Sequence, residues 1–141
     1  MQKISFSILI LSAILLSSCA TYHVSTESLL QQFVDVQPET KVTNFAPTAG
    51  FLGALLFTRI VEGNSLREIT VLDENEQEHN MTVTRATSVR ITKKDGKKVT
   101  FYFNTLLLKD STITGLKTHF ANAHIKPIAF TDIDKIELQV H

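Results

Sequence analysis

The sequence predicts a mainly β fold, a small antiparallel β-barrel or sandwich with an SH3-like barrel among the options, and three observations predict it. Beyond about residue 40, apolar residues recur at every second position, as half-buried strands require. Turn-forming residues punctuate these runs at short intervals, which favours hairpins over crossover connections. The 141-residue chain has one cysteine, so no intramolecular disulfide can staple it, and its 43% hydrophobic residues, nine of them Phe, must build a core unaided. These features divide the chain into 1–18, a removable leader; 19–40, a tether; and 41–141, one β-rich domain.

The leader opens with Lys3 and continues through the apolar run Ile4 to Leu16, thirteen residues with nothing more polar than serine. Crossing a bilayer takes about 20 apolar residues, whereas a secretory signal needs only about 7–15. The run ends in Leu16-Ser17-Ser18-Cys19. That tetrapeptide resembles the lipobox of bacterial lipoproteins, an aliphatic residue and two small ones before a cysteine. The resemblance implies diacylglyceryl transfer to the Cys19 thiol, cleavage before Cys19 and acylation of the new amino group. Several acyl chains on one residue hold far more firmly than one, whose binding is marginal.

Residues 20–40 are expected to act as a spacer. Within them TESLLQQFVDV has the spacing of a short helix, with Thr26 as its cap, Leu29, Leu30 and Phe33 on one side, and Pro38 ending it. Fully extended, this stretch would reach roughly 70 Å. Next comes APTAGFLGALLFTRIVEG, almost wholly apolar over 51–57. It reads either as a buried strand apolar on both faces, bent at Gly53, or as a contact surface.

The hairpins follow in order. EITVLDENEQEHNMTV places Ile69 and Val71 on one strand and Met81 and Val83 on its partner, around an acidic loop. SVRITKKDGKKVTFYFNT alternates Val89 and Ile91, then Val99, Phe101 and Phe103, about Asp95-Gly96, the dipeptide of a two-residue type I′ turn. Arg90, Thr92, Thr100 and Tyr102 take the opposite face. LLLKDSTITG reads as strand–turn–strand with Lys109-Asp110 at the bend, and IKPIAF and IELQV as two further strands. Thr131–Asp134 reads as one helical turn capped by Thr131.

Catalytic signatures are missing: the sequence holds no G-x-x-x-x-G-K, G-x-S-x-G, H-E-x-x-H or paired C-x-x-C. His119 and His124, five apart, fall on opposite faces of a strand and off the i, i+4 ligand spacing of a helix. The expectation is therefore no cofactor, no metal and no catalytic residue. Asp132, Asp134 and Glu137 are the densest late carboxylate group, with nothing to indicate the burial an acid–base pair needs, and Asp132 and Asp134 read as capping and solvating a turn. Lys93, Lys94, Lys97 and Lys98 form a basic hairpin tip which, with Tyr102, is the candidate contact for a partner, an anionic lipid or glycan included. The formal net charge is zero and no aromatic interleaves with the tip lysines, so nucleic acid is not the expected ligand.

The runs VEGNSLREITVLDENEQEH, RITKKDGKKVTFYFNTLLLKDSTITG and IKPIAFTDIDKIELQ resemble small uncharacterised lipoproteins of Bacteroides-type bacteria. The pattern departs at Asn104, where an Asp is expected, and at Glu76-Gln77, where a glycine-containing pair is expected. The resemblance implies a lipoprotein with a β-rich domain and supplies no catalytic residue. Surface export in such lipoproteins is associated with acidic residues just after the cysteine. Here Ala-Thr-Tyr-His-Val follows Cys19, which implies an outer-membrane anchor facing the periplasm. Two function classes result: a non-enzymatic envelope lipoprotein binding a protein or glycan, and, as alternative, a small hydrolase or metal-dependent enzyme with a site assembled from dispersed residues.

Overall fold

A computed structural model describes residues 20–44, 58–118 and 123–140. Cys19, the leader, the apolar stretch 51–57 and His119 lie outside the described residues.

The chain runs β1 (Thr21–Val24), α1 (Thr26–Gln32), β2 (Pro38–Asn44), β3 (Thr58–Asn64), β4 (Glu68–Leu72), β5 (Glu78–Thr82), β6 (Ser88–Lys93), β7 (Lys98–Tyr102), β8 (Leu107–Lys109), β9 (Thr112–Thr114), β10 (Ile128–Ala129) and β11 (Ile133–Gln139). Strands pair antiparallel in an open six-stranded sheet of order β5-β4-β1-β11-β6-β7, a three-stranded sheet β10-β9-β8 and a β2-β3 ribbon. The mainly antiparallel β class is as the periodicity requires. No sheet closes into a barrel among the described residues, and the small sheet shares one core with the large one, an arrangement compatible with a sandwich.

One face of the large sheet is apolar. Val24, Ile136 and Ile91 lie in one cross-strand row, and Leu138, Val89 and Phe101 in the next. Against them pack Leu29 from α1, Phe103 and Leu106 from the 3₁₀ turn after β7, and Ile113, Ile125 and Ile128 from the small sheet and its approach. Phe33 meets Phe103 edge-on, ring centroids 6.0 Å apart, a favoured aromatic geometry.

The spacer expected over 20–40 is corrected. Thr21–Val24 is an interior strand, wedged between β4 and β11. Its alternation puts Val24 in the core and Tyr22 against it. After Val24 the chain leaves the sheet and Ser25, not Thr26, caps α1 by accepting the Ser28 N–H (3.0 Å). Strand β4 would lose its partner there. The Gln32 side chain takes over, its amide nitrogen donating to Thr70 O (3.0 Å) and its oxygen accepting Thr70 N–H (2.7 Å). α1 ends at Gln32, well before Pro38, which starts β2 instead. Leu29 and Phe33 pack on the domain, while Leu30 is exposed.

The hairpin over 88–102 has the expected faces, with Val89, Ile91, Phe101 and Phe103 buried and Val99 packed beside them. Its turn differs from the expectation. Type I′ needs positive φ at both central residues, and only Gly96 (φ 80°) has it. The Gly96 N–H donates to Lys93 O and the Lys93 N–H to Lys97 O. The loop is thus three residues, a turn followed by a left-handed glycine. Its β4–β5 counterpart repeats this pattern: the Glu76 N–H donates to Asp73 O, the Asp73 N–H to Gln77 O, and Glu76 takes φ 60° where the other loop has glycine. The two-residue turn with both φ positive lies at Asp110-Ser111 (49° and 60°), one residue beyond the expected bend. The helical turn expected over 131–134 is a 3₁₀ turn, Phe130–Asp132, begun from Ala129 without a side-chain cap.

Candidate functional site

The face of the large sheet opposite the core is polar. The pairing aligns Leu72, His23, Glu137, Arg90 and Thr100 in one row across five strands, and Thr21, Gln139, Ser88 and Tyr102 in the next. All are half-buried or exposed except Ser88. Strand alternation makes this face inevitable once Ile136, Leu138, Val89, Ile91 and Phe101 have turned inward.

Arg90 is the central cation. One guanidinium nitrogen donates to Gln139 Oε1 (3.2 Å), which fixes the fork while leaving further N–H groups. Beside it lies a groove of about 350 Å³, lined by Ser88, Arg90, Thr100, Tyr102, Lys117 and Gln139 among others. Glu137 is the neighbouring carboxylate. Its side chain is only 13% exposed and sits 3.0 Å from Lys135 Nζ. Burial pushes its pKa up, but the Lys135 hydrogen bond and charge, with Arg90 and His23 at longer range, outweigh that and leave it lowered. Arg90 on β6 and Lys135 on β11 stand beside Glu137, Lys98 lies in the Thr92–Lys135 row, and Lys117 adds a further cation at the groove. An overall neutral chain thus gathers cationic groups on one face.

The five residues expected to form one contact are split. Tyr102 lines the groove and Lys98 stands on the same outward face of β7. Lys94 lies in the hairpin loop and Lys93 and Lys97 close it, with the Asp95 carboxylate 3.7 Å from Lys93 Nζ and 3.4 Å from Lys97 Nζ. Chiefly the Lys97 N–H, and then these charges, hold the Asp95 carboxyl below the usual range. The tip is therefore partly self-neutralised. The sequence places Arg90 on the hairpin face turned outward or toward a partner, whereas Lys117 and Gln139 are residues it does not single out. Alternation about Ile136 and Leu138 marks Glu137 and Gln139 as outward. That β11 lies beside β6 has no local signature.

One histidine does stand beside a carboxylate. His79 Nε2 is 2.8 Å from Asp73 Oδ2, with Tyr22 against the imidazole (centroids 6.1 Å). The other Asp73 oxygen accepts the Asn75 and Gln77 N–H groups (2.7 and 3.0 Å). This pair clamps an exposed hairpin loop. His124 instead lines a separate hollow of about 470 Å³ between β3 and the small sheet, with Val61, Leu107 and Leu116. Among the described residues no three His, Cys, Asp or Glu side chains converge as metal ligands, and no helix is long and apolar enough to cross a membrane.

Comparison with known proteins yields no matching family model, no matching curated protein and no matching solved structure. The fold and the cationic groove are thus what defines the molecule.

Proposed function

We propose that the protein is a lipid-anchored envelope lipoprotein, held at the outer membrane through Cys19, whose sheet face binds an acidic protein or glycan without catalysing a reaction. The observation that carries the binding half is the groove of Arg90, Lys117, Ser88 and Tyr102 on an open sheet face. A fixed guanidinium with spare donors, flanked by hydroxyls, suits carboxylate or sulfate groups, because charge-assisted hydrogen bonds are the strong ones. The anchor half rests on Leu-Ser-Ser-Cys closing a thirteen-residue apolar run.

Two measurements test the halves separately. Mass spectrometry of the membrane fraction should find acyl mass on a peptide that begins at Cys19; an unmodified Cys19 there would remove the anchor. Crosslinking in intact cells should capture a partner with the wild-type chain and lose it with Arg90→Gln/Lys117→Gln. Equal capture by the double variant would remove the groove from the reading.

A further inference from the structure

Thr21 is already the first residue of β1, and β1 is an interior strand of the large sheet. Only Ala20 separates it from Cys19, two Cα steps with a reach of only about 7 Å when fully extended. We infer that the lipid on Cys19 seats the domain directly on the bilayer in one orientation, with the β1 start and the Asp73–Gln77 loop at the membrane surface and the Lys93–Lys97 hairpin pointing away. This inference rests on the lipoprotein reading above.

The sheet registers fix which parts share the anchored end. Thr21 pairs with Gln139, Gln139 with Ser88, and Ser88 with Tyr102. His23 pairs with Leu72, so the β4–β5 loop that follows Leu72 lies beside the β1 start. At the other end of the same strands, Thr92 pairs with Lys98 and the Lys93–Lys97 loop follows. Six residues of β6 separate the two ends, roughly 20 Å at about 3.3 Å per residue. That distance exceeds the Debye length of about 8 Å at physiological salt. The basic tip is thus removed from contact with the anchoring bilayer, and its candidate role in binding anionic lipid of that membrane is excluded. At the anchored end Asp73, Glu74, Glu76 and Glu78 crowd together. Carboxylates avoid the hydrocarbon, so this end rests on the headgroups without inserting. The Arg90 groove opens on the sheet face toward the anchored end, because its Ser88, Tyr102 and Gln139 lie in the same cross-strand row as Thr21.

The single cysteine makes the test clean, since acylation consumes it. A fluorophore is attached to Asn75→Cys or to Lys94→Cys in the full lipidated chain, reconstituted in phosphatidylcholine vesicles carrying a headgroup-spin-labelled lipid. Strong loss of fluorescence at position 75 and little at 94 is expected. Inserting ten Gly/Ser residues between Ala20 and Thr21 should abolish the difference. Equal loss at both positions, greater loss at 94, or a difference that survives the insertion overturns the orientation. Absence of acyl mass on Cys19 in the same preparation overturns the anchor reading itself, so the two failures are told apart.

Discussion

Gly115 and Phe101 offer the most exacting check on the core. Phe101 is buried at 1% exposure on the inner face of β7. A Cβ added at Gly115 would lie 2.5 Å from Phe101 Cδ2, 2.9 Å from Cε2 and 3.3 Å from Cγ. Because Cγ sits at the root of the ring, no small rotation clears the methyl, and the surrounding core leaves no room for a large one. Overpacking of this kind costs about 1–3 kcal/mol. Phe101→Ala alone removes the ring and leaves a cavity, costing about 3–5 kcal/mol out of a total near 5–15 kcal/mol. In the double variant the new methyl faces the space the ring has left. Gly115→Ala should then be neutral or favourable in the Phe101→Ala background, a coupling of about 1–3 kcal/mol. Urea denaturation of a soluble chain beginning at Ala20, which keeps β1, measures all four corners. Tyr102→Ala, on the opposite side of β7, serves as the register control and should cost clearly less than Phe101→Ala. Losses that simply add would show that Gly115 does not lie against Phe101. A greater loss at Tyr102 would mean the faces of β7 are reversed.

Other expectations follow from single contacts. Asn64, 1% exposed, donates its amide to Phe103 O (2.7 Å) and Leu106 O (3.0 Å); Phe103 O keeps the Leu106 N–H (2.9 Å), so Asn64→Ala should cost about 1–3 kcal/mol, chiefly for Leu106 O, and Asn64→Asp, which sets an acceptor against both, should cost more in the same denaturation assay. Glu76→Gly should raise stability by roughly 0.5–1 kcal/mol, since φ 60° suits glycine, and a lowered melting temperature would refute the loop geometry. The Asp73 carboxyl is held below the usual range, first by the Gln77 N–H and then by His79. A depressed folded pKa contributes stability that is present above the unfolded value and lost as pH falls through the folded one. Protection of the β4 and β5 amides, taken relative to the intrinsic exchange rate at each pH, should therefore fall below about pH 4, and Asp73→Asn should flatten that dependence.

Strand identity was legible wherever alternation was long. Ser88–Tyr102 and Ile133–Gln139 have it over enough residues that burial of Val89, Ile91, Phe101, Ile136 and Leu138 could be read directly. The sequence by itself also determined that no disulfide supports this core, and it supplied the lipobox resemblance. Turn type was less accessible, because Asp-Gly serves both a two-residue turn and a three-residue loop, and the choice depends on which pair of flanking residues closes the ladder. The four residues of Thr21–Val24 are too few for periodicity to separate strand from spacer; their place was decided by two strand edges, β4 and β11, that meet only in the folded chain. The cationic groove has the same origin. Arg90, Lys117 and Gln139 are far apart in sequence and come together through the pairing of β6 with β11 and the return of the chain past Tyr102, whose N–H donates to Leu116 O. Alternation states which way a side chain turns, and it is local. Which strands become neighbours is set by burying one shared apolar face, a property of the whole chain.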